Sequence, residues 1–214
     1  MNISTTGIPK DGVPEPFIYV DEIIEDCIID AKYWGTDNFI GRRINGYDSP
    51  LVVMSKDAAD ACAKAADILR KRGYFMKIFD AYRPQKAVDD FINWAKDVKD
   101  IRRKPIHYPE VDKKDFFKLG YVSEKSGHTR GSAVDLTIVD MKTHQELDMG
   151  SIFDFMGPRS HLDADGLTEL QKSNRAILIS AMTECGFETY ACEWWHFRLK
   201  TEPYPDTYFD FPIR

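Results

Sequence analysis

Apolar positions recur at helical spacing in three stretches of the chain, with short strand-like runs between them. The first helical stretch runs from Ser55, a residue type suited to an N-cap, to Arg72, and Gly73 stops it. Its stripe Ala58, Cys62, Ala65, Ala66, Leu69 has the spacing of one buried face. Tyr74 to Phe79 then reads as a strand ending at Asp80-Ala-Tyr-Arg83. Pro84 stands where a second helix begins, with Ala87, Val88, Phe91, Ile92 and Ala95 as its buried face. The third helix opens near Thr168, with Gln171 three positions on in the pattern of a capping box. It continues through Leu170, Ile177, Leu178, Ala181, Met182 and Cys185, and Gly186 ends it.

Ala133 to Val139 is a strand by composition, and its period of two separates Ala133, Asp135 and Thr137 from Val134, Leu136 and Ile138. One polar and one apolar face suit a sheet whose open side carries a site. Trp194 to Leu199 reads as a last strand, and Phe17 to Ile29 as one or two more. Tyr33 to Ser49 is rich in Gly, Asn and Asp and reads as loop; residues 98–120, charged and interrupted by proline, read as a surface excursion. Residues 1–16 carry three prolines and two glycines and read as an arm. Helices and strands mix without strict alternation, which predicts an α+β fold: one domain over 17–214 behind the arm.

A length of 214 residues suits one domain able to bury a core without disulfides. The net charge of −6 argues against a nucleic-acid partner, and no basic tract or long apolar run points to a membrane. Cys27, Cys62, Cys185 and Cys192 lack paired spacing, and Cys62 and Cys185 fall on apolar helix faces as buried free thiols. The N-terminus has neither a basic region nor an apolar core of a signal peptide. The expected compartment is the cytoplasm, or the periplasm if a leader has been removed.

The chemistry concentrates in Ser126-Gly-His-Thr-Arg-Gly-Ser-Ala-Val-Asp135 and, far downstream, Glu193-Trp-Trp-His196. His128, Asp135 and His196 offer three ligands of the types that bind catalytic zinc, leaving a position for water, and Glu193 is a nearby general base. His128 and Asp135 are seven apart, so on one straight strand they point oppositely; convergence requires His128 to lie on a loop entering the strand, with Gly127 and Gly131 supplying the freedom. Glu193 and His196, three apart, likewise require a loop or bulge at Glu193. The competing reading of Asp135 is a salt bridge to Arg83 or Arg130. His107, His144 and His161 read as ordinary polar or core-edge residues, and Asp163-Ala-Asp-Gly166 as a turn leading into a helix rather than a calcium loop.

Taken together, the Ser-x-His-x-x-Gly-x-Ala-x-Asp signature and Glu193-Trp-Trp-His196 resemble the zinc D-alanyl-D-alanine dipeptidases of the VanX type. The resemblance extends to Ala31-Lys-Tyr-Trp-Gly-Thr-Asp-Asn-Phe39, Asp80-Ala-Tyr-Arg-Pro84, Lys118-Leu-Gly-Tyr-Val122, Phe153-Asp-Phe155, Asn174-Arg175 and the tail from Glu202 to Pro212, and covers residues 17–214. It implies a D,D-peptidase or Hedgehog-like fold with a central antiparallel sheet flanked by helices. It also implies one zinc ion on His128, Asp135 and His196, with Glu193 as catalytic base. Arg83 matches the arginine that stabilises the tetrahedral intermediate, Ser126 and Asp154 match positions that hold the substrate's ammonium, and Tyr33 matches a residue of the pocket wall. Departures are Gly127, where Ser is common, and the N-terminal arm. The implied reaction is hydrolysis of free D-Ala-D-Ala, in glycopeptide resistance or in D-alanine salvage from the cell wall, by a monomer or a homodimer. Two alternatives stay open: a D,D-carboxypeptidase acting on peptidoglycan precursors, and a non-catalytic, zinc-stabilised binding module.

Overall fold

The computed structural model describes residues 5 and 7–214. The strands are β1 (Phe17–Tyr19), β2 (Ile28–Ile29), β3 (Val53–Ser55), β4 (Tyr74–Asp80), β5 (Ala133–Asp140), β6 (Phe187–Tyr190) and β7 (Glu193–Leu199). The helices are α1 (Lys56–Lys71), α2 (Gln85–Lys96), α3 (Lys104–His107), α4 (Phe116–Leu119) and α5 (Glu169–Glu184). Five strands form one sheet in the order β2-β4-β5-β7-β6, and β1 pairs with β3 in a small second sheet. The main sheet is antiparallel except at one edge, where β2 runs parallel to β4.

Helices α1 and α5 cover one face of the sheet. The Cys62 thiol lies 3.4 Å from the Met76 sulfur, and Met76 pairs across the ladder with Ile138. The Val134–Leu136–Ile138 side of β5 therefore faces the helices, while Asp135 and Thr137 face the other way. On that second face lie α2 and the 33–49 loop, joined by an aromatic cluster in which Phe91 touches Tyr33 at 5.1 Å and Phe39 at 4.9 Å between centroids.

The predicted stripe of α1 is wholly buried. Ser55 takes the extended N-cap conformation, but its side chain makes no cap; its hydroxyl instead meets that of Ser132 at 3.3 Å. The capping box of α5 forms as read, with the Gln171 amide donating to the Thr168 hydroxyl. Leu170 is 66% exposed; the buried face holds Leu178, Ala181 and Met182 as expected, joined in the first turns by Gln171, Asn174 and Arg175. The guanidinium of Arg175 donates to the carbonyls of Met149, Arg159 and His161, which explains a buried arginine without a carboxylate. In α2, Ala87, Val88, Phe91 and Ala95 are buried as expected and Ile92 only in part, while Trp94 and Asp90 join them, Asp90 paired with Arg42 at 2.7 Å.

Residues 98–120 depart from the expectation of a surface excursion. Tyr108 and Phe116 are fully buried against Trp94, with ring centroids 5.7 and 5.8 Å away. The Lys113 ammonium sits 3.7 Å from the Trp94 ring and donates to the carbonyls of Trp94 and Asp97, so a charged run conceals a core segment. The expected arm falls partly outside the described residues, at 1–4 and 6. Its described part lies against the domain: Ile8 and Val13 pack on the core, and Lys10 pairs with Asp21 at 2.9 Å. Among the described residues no helix is long and apolar enough to cross a membrane.

Candidate active site

Three strands place acids and a histidine in one row. Between Ile78 and Asp80 the β4–β5 register slips, leaving Phe79 as an extra residue and setting Asp80 opposite Asp135. Asp135 is in turn the cross-strand partner of His196 on β7. His128 joins them from a 3-10 turn, His128–Arg130, that ends at Gly131 with φ of 80°. This is the loop entering the strand that the seven-residue spacing required. The turn is tied to the end of β4, because the Arg83 amide donates to the His128 carbonyl and His128 Nδ1 lies 2.6 Å from the Ala81 carbonyl.

A carbonyl only accepts, so Nδ1 of His128 carries a proton and Nε2 is the nitrogen turned to the other two residues. That nitrogen lies 3.1 Å from His196 Nδ1 and 3.3 Å from an Asp135 oxygen, and His196 Nδ1 lies 3.0 Å from the other Asp135 oxygen. The donor atoms of the three residues lie within 4.8 Å of one another. Two imidazole nitrogens and a carboxylate converge on one point, which is the donor set of a divalent transition metal. The carbonyl behind His128 fixes its tautomer, as partners behind metal-binding histidines do. Burial opposes charge on Asp135, yet the two imidazoles hold its carboxyl below the usual range. Burial likewise works against a charged His196, but Asp135 and Glu193 raise its pKa. The salt-bridge reading of Asp135 also holds in part: Arg83 Nη2 reaches it at 3.5 Å, whereas Arg130 pairs with Glu202 at 2.7 Å.

Glu193 opens β7, and the irregularity its spacing demanded lies beside it. The β6–β7 register passes from Thr189↔Phe197 straight to Tyr190↔Glu193, so Trp194, Trp195 and His196 face no residue of β6. The Glu193 carboxylate thereby lies 3.9 Å from His196 Nδ1, and burial pushes its pKa up to about 7.

Arg83 is held by Asp80, with Nη2 at 2.9 Å and Nε at 3.0 Å, and stacks over Tyr33 and Phe91. Asp80 also accepts from the Tyr47 hydroxyl at 2.7 Å and lies 3.6 Å from His128 Nδ1. Asp154 is buried with a positive φ of 57°, and both its oxygens accept from the Tyr33 hydroxyl, at 3.2 and 3.0 Å. Burial, then the negative charges of Asp135 and Glu193, lift its pKa well above the usual carboxylate range. The Ser126 hydroxyl accepts from the His128 amide at 3.2 Å. All eight residues singled out in the sequence line one cavity of about 450 Å³. Sequence reasoning missed Asp80 and Tyr47 as parts of the site; an acid closing an apolar strand three residues before Arg83 was the available signal for the first, and Tyr47 had none.

An open set of two imidazoles and a carboxylate, with a half-buried glutamate beside it and an arginine facing it, has the parts of a hydrolytic metal centre. The comparisons with known proteins agree with this class. The family model described as D-ala-D-ala dipeptidase matches residues 15–214. A D-alanyl-D-alanine dipeptidase of Streptomyces coelicolor is 44% identical over 197 residues, covering 92% of this chain and 98% of the relative. One from Enterococcus faecium is 41% identical over 198 residues, with the same coverage of 92% and 98%. Among solved structures, VanYB in complex with D-alanine-D-alanine aligns with a TM-score of 0.43 at 15% identity, over 78% of this chain and 87% of that one. The chain belongs to the D-Ala-D-Ala dipeptidase family and is a peptidase.

Proposed function

We propose that this enzyme hydrolyses the free dipeptide D-Ala-D-Ala to two molecules of D-alanine, with one zinc ion held by His128, Asp135 and His196. The observation that carries the reading is the convergence of those three donors with Glu193 3.9 Å from His196 and Asp154 in the same cavity. When bound, zinc supplies Lewis acidity, which lowers the pKa of a water and polarises a carbonyl.

Glu193 is the group that takes a proton from the attacking water and returns it to the leaving amine. Burial raises its pKa from the ordinary carboxylate range toward neutrality, which suits both directions of transfer. Arg83, locked by Asp80 and by the Tyr33 and Phe91 rings, presents its guanidinium to the oxygen that gains charge in the tetrahedral state. Asp154 receives the substrate's α-ammonium, aided by Ser126. A carboxyl whose charge is disfavoured by burial and by two neighbouring anions gains its missing counter-charge from that cation. Tyr33 holds Asp154 in place and forms the wall behind it.

A free amine at this point distinguishes a dipeptide from a peptidoglycan stem, which favours the dipeptidase over the carboxypeptidase. A binding module has no use for a base and an oxyanion donor together. All four cysteines are free thiols, which suits a reducing compartment, so the proposed setting is the cytoplasm, with residues 17–214 as the peptidase domain and 1–16 as an arm. Release of D-alanine from D-Ala-D-Ala by the zinc-loaded protein, abolished by chelation and restored by zinc, tests the reading. Undiminished turnover after removal of zinc contradicts it.

A further inference from the structure

Asp154 sits in the left-handed backbone region, at φ of 57°, one of two non-glycine residues among those described to do so. The contacts beside it show what fixes that backbone. His107, at the end of α3, holds the segment that follows the Asp154 side chain at two points, either side of Phe155. Its Nδ1 lies 3.2 Å from the Asp154 carbonyl, and its own carbonyl accepts from the Met156 amide at 2.7 Å.

The tautomer of His107 follows from its other neighbour. Arg103 Nη2 lies 3.0 Å from His107 Nε2, and a guanidinium can only donate, so Nε2 is the acceptor and the proton resides on Nδ1. The imidazole therefore donates to the Asp154 carbonyl. Arg103 is itself anchored, by Asp37 at 3.1 Å and by the Asn38 carbonyl at 3.0 Å. A chain of hydrogen bonds runs Asp37–Arg103–His107–Asp154 and ties two separate segments, 37–38 and 103–107, to one backbone carbonyl. His107 is buried, so this chain is not exchanged freely for water.

We infer that His107 is a positioning residue for substrate binding: its Nδ1–H and its backbone carbonyl clamp the 154–156 segment so that the Asp154 carboxylate meets the substrate's ammonium. The inference rests on the reading of Asp154 as the ammonium site. It assigns a role in recognition, and none in the chemical step, to a histidine on a segment that resembles charged surface. Burial, reinforced by the positive Arg103, pushes the imidazole pKa down to about 4, so near neutrality Nε2 stays an acceptor for Arg103 while Nδ1 donates to Asp154.

The test compares His107→Phe, His107→Asn and the native enzyme, all zinc-loaded, in steady-state hydrolysis of D-Ala-D-Ala. Phenylalanine fills the ring volume without a donor, whereas the asparagine amide stands where Nδ1 stood. His107→Phe is expected to raise KM on the order of tenfold, as for a lost buried hydrogen bond, with a much smaller change in kcat; His107→Asn recovers most of the affinity. Binding of D-Ala-D-Ala to Glu193→Gln, with and without His107→Phe, supplies the same comparison by calorimetry without turnover. An equal loss of affinity in His107→Phe and His107→Asn overturns the donor's role, as does an unchanged KM, or a fall in kcat alone, in His107→Phe. Failure of the native enzyme to turn over or bind D-Ala-D-Ala overturns the underlying reading instead, so the two failures are distinguishable.

Discussion

Nη2 of Arg83 lies 2.9 Å from Asp80, an acid that faces Asp135 across the β4–β5 ladder. The arginine is thus held by one carboxylate and stands 3.5 Å from another that belongs to the donor cluster. Removing the first leaves the guanidinium to compete for the second. Asp80→Asn is expected to lower zinc affinity and kcat by about 10–100-fold, the range typical of supporting groups behind a metal site. Zinc competition with a chromogenic chelator, alongside steady-state kinetics, checks this; native values for both contradict it.

Glu193 is expected to carry the proton transfers without binding the metal. Glu193→Gln keeps close to one zinc per chain while losing about 10²–10⁴-fold in kcat. The native enzyme should also lose activity in acid. Burial, offset in part by His196 and Arg83, puts the Glu193 pKa at about 7 without metal, and a divalent cation beside it draws the value lower. The carboxylate is therefore the active base above that pKa, and kcat/KM falls as pH drops through a midpoint below 7. Metal analysis and a pH profile measure both effects, and substantial activity in Glu193→Gln contradicts the assignment.

Gly131 closes the turn that presents His128, and its φ of 80° combines with a close neighbour. A β-carbon there would stand 2.4 Å from the Phe17 ring. Gly131→Ala must relieve both, so it is expected to destabilise the protein by ~2–4 kcal/mol, from left-handed strain and overpacking together. Zinc affinity should fall with it, because the displaced turn carries a ligand. Denaturant melts of the zinc-free protein separate the stability effect from the loss of metal, and an unchanged midpoint contradicts the argument.

The parts of this site with a strict local constraint were readable from sequence. An odd spacing between His128 and Asp135 demanded a turn, and a triplet spacing between Glu193 and His196 demanded an irregular strand; both features occur where required. Hydrophobic periodicity placed α1, α2, β4, β5, α5 and β7 for the same reason, since one buried face leaves a repeating mark. What could not be read depends on contacts between distant segments. The charged 98–120 run hides Tyr108 and Phe116 in the core because Lys113 buries its stem on Trp94. The part played by His107 has no local signature, since it rests on a carbonyl 47 residues away. The parallel edge strand β2 is two residues long, too short for any period to show.

The most direct test of the account is a parallel assay of D-alanine release by the zinc-loaded enzyme from D-Ala-D-Ala, L-Ala-L-Ala and a pentapeptide ending in D-Ala-D-Ala. Turnover confined to the free D,D-dipeptide is the predicted result, because Asp154 calls for an ammonium that the pentapeptide lacks at that position. Comparable turnover of the pentapeptide contradicts the role given to Asp154 and makes the protein a carboxypeptidase, and silence on all three contradicts the catalytic reading itself.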